Sequence, residues 1–421
     1  MMKRCAAELT PEELAGELRR LENSYAEFAA RKLKLNMARG KPSGALLDHN
    51  DPVLETLTHP FAEDGTDARN YGVLEGLPEM RRFFGEVLGI DPERIIVGGN
   101  SSLNLMYDTV ARLMLFGTAG QPAWNSVPDR KFLCPSPGYD RHFAIAQEFG
   151  FELIAVPMTE TGPDMDMVEK LAADPSVKGI WCVPLYSNPQ GICYSDETVR
   201  RLGNMAAAPD FRIFWDNAYG VHHLYEETPL ADIFAACEAG GHPDRAYYFF
   251  STSKITFPGA GVAMMAASPS ERQAILKRMG IQTIGSDKLN QLRTLRTLKD
   301  APTLKKHMAE LADILRPKFE IVLNTLEREL GGTGLARWNS PRGGYFVSLD
   351  TLDGCAKATL ELAKNAGVAM TGAGATFPYK NDPNDRNIRI APTYPDNEEL
   401  RVAMDLFCVC VKLAALRKLS K

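Results

Sequence analysis

Residues 246–267, AYYFFSTSKITFPGAGVAMMAA, read as two apolar strands joined by a hydroxyl-rich turn that carries one lysine, Lys254. Further runs of the same kind precede it: RIIVGG (94–99), KFLCP (131–135), FELIAVPM (151–158), GIWCVP (179–184) and FRIFWD (211–216). Helix-like stretches lie between many of them, such as 139–149 and 196–205. Short apolar runs without polar alternation are strands buried on both faces, and helices between them indicate a parallel sheet. The expectation is an α/β fold with a mainly parallel seven-stranded sheet. Three helical patterns follow at about 270–280, 287–299 and 303–330. The remainder, 343–421, carries the strands GGYFVSLD and NIRIAP among helices, which reads as a smaller α+β domain. The expected division is a large domain over 49–300 and a small one built from 1–48 and 301–421. Near the start, Thr10 before Pro11, Glu12 and Glu13 is a helix N-cap pattern, with the helix running to about Leu33 and LNMARGKPSG following as a loop.

The 421 residues are 45% hydrophobic and 24% charged, an ordinary globular composition. A formal net charge of −5 argues against nucleic acid as the main partner, since phosphate binding draws on a basic excess. There is no apolar leader and no run of about 18 apolar residues, so neither export by a signal peptide nor a membrane span is expected. Eight cysteines form no CxxC pair, and several sit in apolar runs, as free thiols of a cytoplasmic protein would.

In open α/β sheets ligands sit beyond the carboxyl ends of the strands, where several reactive side chains fall. Lys254 is a nucleophile for carbonyls if its ammonium is desolvated, and otherwise a solvent-facing loop lysine. Ser251 and Ser253 beside it suit a phosphate. Asp216 ends an apolar strand, with Tyr219 three residues on. The carboxylate can keep a heteroaromatic nitrogen protonated, or merely cap the next helix. Asn188 precedes Pro189 at another strand end, as a ligand or as a turn residue. Asn100, Ser101 and Ser102 begin a helix after a glycine turn, where backbone N–H groups attract phosphate. Tyr139 follows a strand and can stack on a flat ring or belong to the core. Arg389 lies in a short apolar strand, where its fork fits a carboxylate or a structural salt bridge.

The order Asn188-Pro189, Asp216-x-x-Tyr219, Ser251-x-Ser253-Lys254 and a late strand with Arg389 resembles the fold type I, class I/II aminotransferases. The segment RNYGVLEGLPEMRRFF (69–84) strengthens the likeness, which runs from about Leu35 to the C-terminus. MARGKPS, GGNSSLNLMYD, PGYDRHF and STSKITFPGAGVA look most like a bacterial subgroup of aspartate aminotransferases. The resemblance implies pyridoxal 5'-phosphate as cofactor, joined to Lys254 as a Schiff base. It implies that Asp216 pairs with the pyridine nitrogen, that Tyr219 and Asn188 bond the ring's 3-oxygen, and that Tyr139 stacks on the ring. Ser101, Ser102, Ser251 and Ser253 would hold the phosphate. Tyr71 would reach the phosphate of a neighbouring subunit, implying a homodimer with shared sites. Arg389 would grip the α-carboxylate of an amino acid or 2-oxo acid, with Gly40 in the closing loop. For a dicarboxylic substrate Lys288, Arg39 and Arg141 compete as the second cation. Relatives commonly carry an arginine eight residues after the lysine; here that position is Val262, so the phosphate charge must be balanced otherwise.

The implied activity is transamination of a small amino acid, with aspartate and 2-oxoglutarate as the favoured pair. The rivals are another amino acid, a lyase, decarboxylase or racemase on the same fold, a cofactor-binding regulator domain, and an idle scaffold.

Overall fold

The computed structural model describes residues 5–420. Its centre is a sheet ordered Ile95–Val97, Ala263–Ala266, Ala246–Ser251, Arg212–Asp216, Val177–Cys182, Lys131–Ser136 and Glu152–Thr159. The last five are mutually parallel, whereas Ala263–Ala266 runs antiparallel to both of its neighbours. The seven expected strands are therefore present, and a two-residue hairpin arm, Gly162–Pro163, adds an eighth at the edge. The apolar runs form strands because both faces are covered. Phe132, Phe214 and Phe249 pack on one side of the sheet, and Leu133, Ile213, Trp215 and Phe250 on the other. This alternation is the period of two that places successive side chains on opposite faces.

The three long helices occupy Pro269–Gln282, Lys288–Leu298 and Ala301–Leu330. Beyond them a smaller antiparallel sheet has Val347–Thr351 between Ala336–Trp338 and Asn387–Ile390. Pro11–Ala30 is the first long helix, closed at its start by a reciprocal capping box between Thr10 and Glu13. It ends three residues earlier than expected and packs on the C-terminal helix, Asn397–Leu419. The stretch read as a loop after it begins with a strand: Leu35–Met37 pairs in parallel with Val368–Met370. That pairing carries the chain at 38–41 to the side of Thr371 and Gly372. Among the described residues no helix is long and apolar enough to cross a membrane. All eight cysteines are free.

Candidate active site

A cavity of about 640 Å³ opens where the carboxyl ends of the parallel strands meet the smaller sheet. Asp216 is the last residue of its strand and is 3% exposed. Its Oδ2 lies 2.9 Å from His142 Nε2, and the His142 ring stacks on Trp181 at 4.5 Å between centroids. The other oxygen, Oδ1, is buried without a hydrogen-bond partner. A buried carboxylate oxygen without a donor is costly. Asp216 thus faces the cavity with one oxygen fixed and one unsatisfied.

Lys254 sits in the turn after Ala246–Ser251, with Nζ 4.9 Å from the centre of the Tyr219 ring. Burial lowers its pKa from the ordinary lysine value, and the charge of Asp216 opposes that shift. Burial favours the free amine, the form that attacks a carbonyl. The backbone of this turn is held as well. Tyr345 Oη donates to the Lys254 carbonyl at 3.3 Å, and His222 Nε2 lies 3.4 Å from the same oxygen. Burial, aided by the Lys254 charge, lowers the His222 pKa to about 3. Tyr219 is buried and its phenol is raised well above its ordinary pKa, first by burial and then by the charges of Tyr139 and Asp216. Burial pushes Tyr139 up to about 12. Both phenols are therefore protonated donors at neutral pH.

Serines gather at one end of the cavity, which Ser101, Ser102, Ser251 and Ser253 all line. Ser251 Oγ donates to Ser253 Oγ at 3.1 Å, and Ser253 Oγ donates to the Asn100 carbonyl at 3.1 Å. Ser101 is the N-cap of the 15-residue helix Ser102–Phe116, yet its side chain makes no capping bond. The start of that helix and four serines thus line one cavity, an arrangement suited to an anion. Val262, at the position where an arginine was looked for, is a core residue, 1% exposed.

Arg389 lies across the cavity on the smaller sheet. Its Nη1 donates to Asp140 Oδ1 at 3.0 Å and to Asn188 Oδ1 at 3.2 Å, and its Nη2 to Thr371 Oγ1 at 3.4 Å. The guanidinium lies 5.0 Å from the centre of the Phe346 ring, and its Nε is buried without a partner. Arg39, Gly40, Lys41 and Arg141 line the same cavity.

Three residues expected at the site do not line this chain's cavity. Lys288 is 4% exposed, lies outside the cavity and donates from Nζ to the Gly72 carbonyl at 3.1 Å, so it supports a loop instead of supplying charge to this chain's cavity. Asn100 donates its side-chain amide to the Gly259 carbonyl at 3.2 Å, and its own carbonyl accepts from Ser253 Oγ; the expectation for it concerns its backbone N–H. Tyr71 is 81% exposed and does not line this chain's cavity; the expectation for it concerns a neighbouring subunit's site. Conversely, His142, Asp140, Thr371 and Phe346 were not singled out. Only the local order Tyr139–Asp140–His142 at the start of a helix hinted at the first two.

A family model described as aspartate amino-transferase matches residues 9–421. A protein of Mycolicibacterium smegmatis, described as an aminotransferase with no substrate named, is 48% identical over 407 residues, covering 94% of this chain and 95% of that one. An aspartate aminotransferase of Corynebacterium glutamicum is 46% identical over 401 residues, covering 94% and 93%. The crystal structure of an aspartate transaminase from Corynebacterium glutamicum superposes with a TM-score of 0.96 at 43% identity, covering 99% of both chains.

Proposed function

The chain belongs to the aspartate aminotransferase family, pyridoxal-phosphate-dependent aminotransferases of fold type I, and from that premise we propose that it exchanges amino groups between aspartate and 2-oxoglutarate. The observation that carries the assignment of the cavity is the unsatisfied Asp216 Oδ1 facing the same space as the Lys254 amine. A protonated pyridine nitrogen is the partner that this oxygen lacks. The serine cluster and helix start suit the phosphate, so the residues present fit the cofactor without the arginine missing at 262.

When bound, the cofactor supplies an aldehyde carbon for the amino group and a protonated ring that withdraws electron density from the substrate Cα. Asp216 holds the proton on the ring nitrogen, and His142 keeps the carboxylate oriented. Tyr219 and the amide of Asn188 would donate to the ring's 3-oxygen, and Tyr139 would cover the ring. Lys254 Nζ would take the proton from the substrate Cα as a base and give it up again as an acid. Arg389 exchanges its bond to Asp140 for the substrate α-carboxylate. Arg39 and Arg141 line the same cavity and are the cations assigned to the second carboxylate of aspartate.

We assign 49–300 to a cofactor-binding part and 1–48 with 301–421 to a smaller part that closes with the loop at Gly40. A homodimer with shared sites is part of the same reading. Tyr71 is 81% exposed, with Ile281 and Ile284 also exposed on the neighbouring surface, and Gly72 packs against Gly285. Exposed apolar side chains of this kind suit a second copy, whose site Tyr71 would reach. A cytoplasmic setting agrees with the free thiols. The test is the visible spectrum of the purified holoenzyme. Aspartate should bleach the cofactor band, and 2-oxoglutarate should restore it. A band unchanged by aspartate but bleached by another amino acid moves the substrate, and one restored by no 2-oxo acid favours a lyase.

A further inference from the structure

Away from the cavity, His49, His307 and Glu310 each offer one ligand atom, and the three atoms lie within 4.8 Å of one another. His49 closes the short helix Gly44–His49, just after the loop that lines the cavity. His307 and Glu310 stand one turn apart on Ala301–Leu330, the spacing that puts two side chains on one helix face. His49 Nε2 is already 3.2 Å from Glu310 Oε2, and the two imidazoles lie 5.4 Å apart with planes inclined by 30°.

His307 is fixed in a way that suits coordination. Its Nε2 faces the carbonyl of Ile255 at 2.9 Å, a contact that needs a proton on that nitrogen. The proton on Nε2 leaves Nδ1 as the lone-pair nitrogen. A backbone carbonyl accepting from the far nitrogen is the usual support behind a metal-bound histidine, fixing both tautomer and ring orientation. Among the described residues Lys306, 3.9 Å from the other Glu310 oxygen, competes for the carboxylate, and it is an exposed pair of little strength.

We propose that His49, His307 and Glu310 form a binding site for a divalent transition metal of the zinc class, outside the catalytic cavity. Two imidazoles and one carboxylate select zinc, cobalt or nickel over magnesium or calcium, which take oxygen ligands. Tetrahedral coordination with bonds of about 2.1 Å sets ligand atoms about 3.4 Å apart. The His49–Glu310 pair meets that spacing, and the third ligand needs only a side-chain adjustment. Glu310 and His49 are 45% and 30% exposed at their side chains, so the ion enters from solvent and keeps water at its open position. Through His307 the site reaches the carbonyl of Ile255, the residue after Lys254.

Calorimetry of chelator-treated holoenzyme with zinc chloride, then magnesium chloride, tests the site. The expected result is one zinc per chain with micromolar affinity and no comparable magnesium binding. Glu310→Gln and His49→Gln act on the outer ligands, and each should weaken zinc about tenfold or more while leaving the cofactor spectrum unchanged. Because cysteines could also take zinc, a crystal soaked with zinc is measured at the zinc absorption edge. Anomalous density among the three side chains supports the site. Density only at a cysteine or at the cofactor, no stoichiometric binding, or wild-type zinc affinity in both variants overturns it.

Discussion

The two walls of the cavity are built on different principles. One is the carboxyl edge of the large sheet, where Asp216, Tyr219 and Ser251 are each at most 8% exposed. The other joins the loop at 38–41 to Thr371 and Arg389, across from the first. On the sheet wall Asp216 keeps an oxygen with no partner. On the opposite wall both Nη groups of the Arg389 fork are already partnered, by Asp140, Asn188 and Thr371, while its Nε is not. An unsatisfied group in a rigid setting is ready for a permanent ligand, whereas a satisfied one can trade partners as substrate comes and goes. The sheet wall should therefore govern cofactor and turnover, and the opposite wall should govern substrate binding.

The largest break in that comparison is Lys254→Ala. Turnover should fall by at least about a thousandfold, since both the cofactor anchor and the proton carrier are lost. Circular dichroism and the melting curve should stay near wild type; wild-type turnover would remove the lysine from the reaction. Next comes Arg389→Ala, which removes two charge-assisted bonds to the substrate carboxylate. At about 1.5 kcal/mol each, kcat/KM should drop about a hundredfold, with the cofactor spectrum unchanged. A spectral loss of the cofactor instead would mean that the two walls are not separable. His142→Phe keeps an aromatic ring against Trp181 but withdraws the partner of Asp216 Oδ2. A drop in kcat of about tenfold to a hundredfold is expected, by analogy with the loss of other supporting hydrogen bonds. Pre-steady-state kinetics should place it in the chemical step, with KM little changed.

The legibility of the two walls in the sequence differs for the same physical reason. Strands of the large sheet announce themselves because burial on both faces demands long apolar runs, and Lys254, Asp216 and Asn188 stand at the ends of such runs. Arg389 was visible as a charge in an apolar strand. What could not be read depends on contacts between distant segments. Leu35–Met37 is three residues long, too short for a periodicity, and its partner Val368 lies in another part of the chain. His142 pairs with Asp216 across 74 residues, and its local order after Tyr139 does not reveal that partner. Lys288, put forward by the resemblance, likewise depends on contacts between distant segments: the Gly72 loop packs over it and keeps it outside this chain's cavity.

The smallest effect tests the loop on the substrate wall. A Cβ at Gly40 would lie 2.3 Å from Cζ of Phe346, the ring beside the Arg389 guanidinium, whereas a Cβ at Gly44 would meet nothing within 4 Å. Phe346 is 6% exposed, so its ring can yield only by tilting within packed surroundings. Crowding of this kind costs about 1–3 kcal/mol, and part of it falls on the geometry of the arginine. Gly40→Ala should therefore raise KM for the amino acid and the 2-oxo acid together, by about threefold to tenfold, with kcat much less affected. Gly44→Ala, four residues on, should behave as wild type. If both glycine variants raise KM equally, the effect comes from stiffening the chain at 38–44 and not from Phe346. If Gly40→Ala lowers kcat alone, the loop limits a step after binding, and the assignment of substrate binding to this wall has to be redrawn.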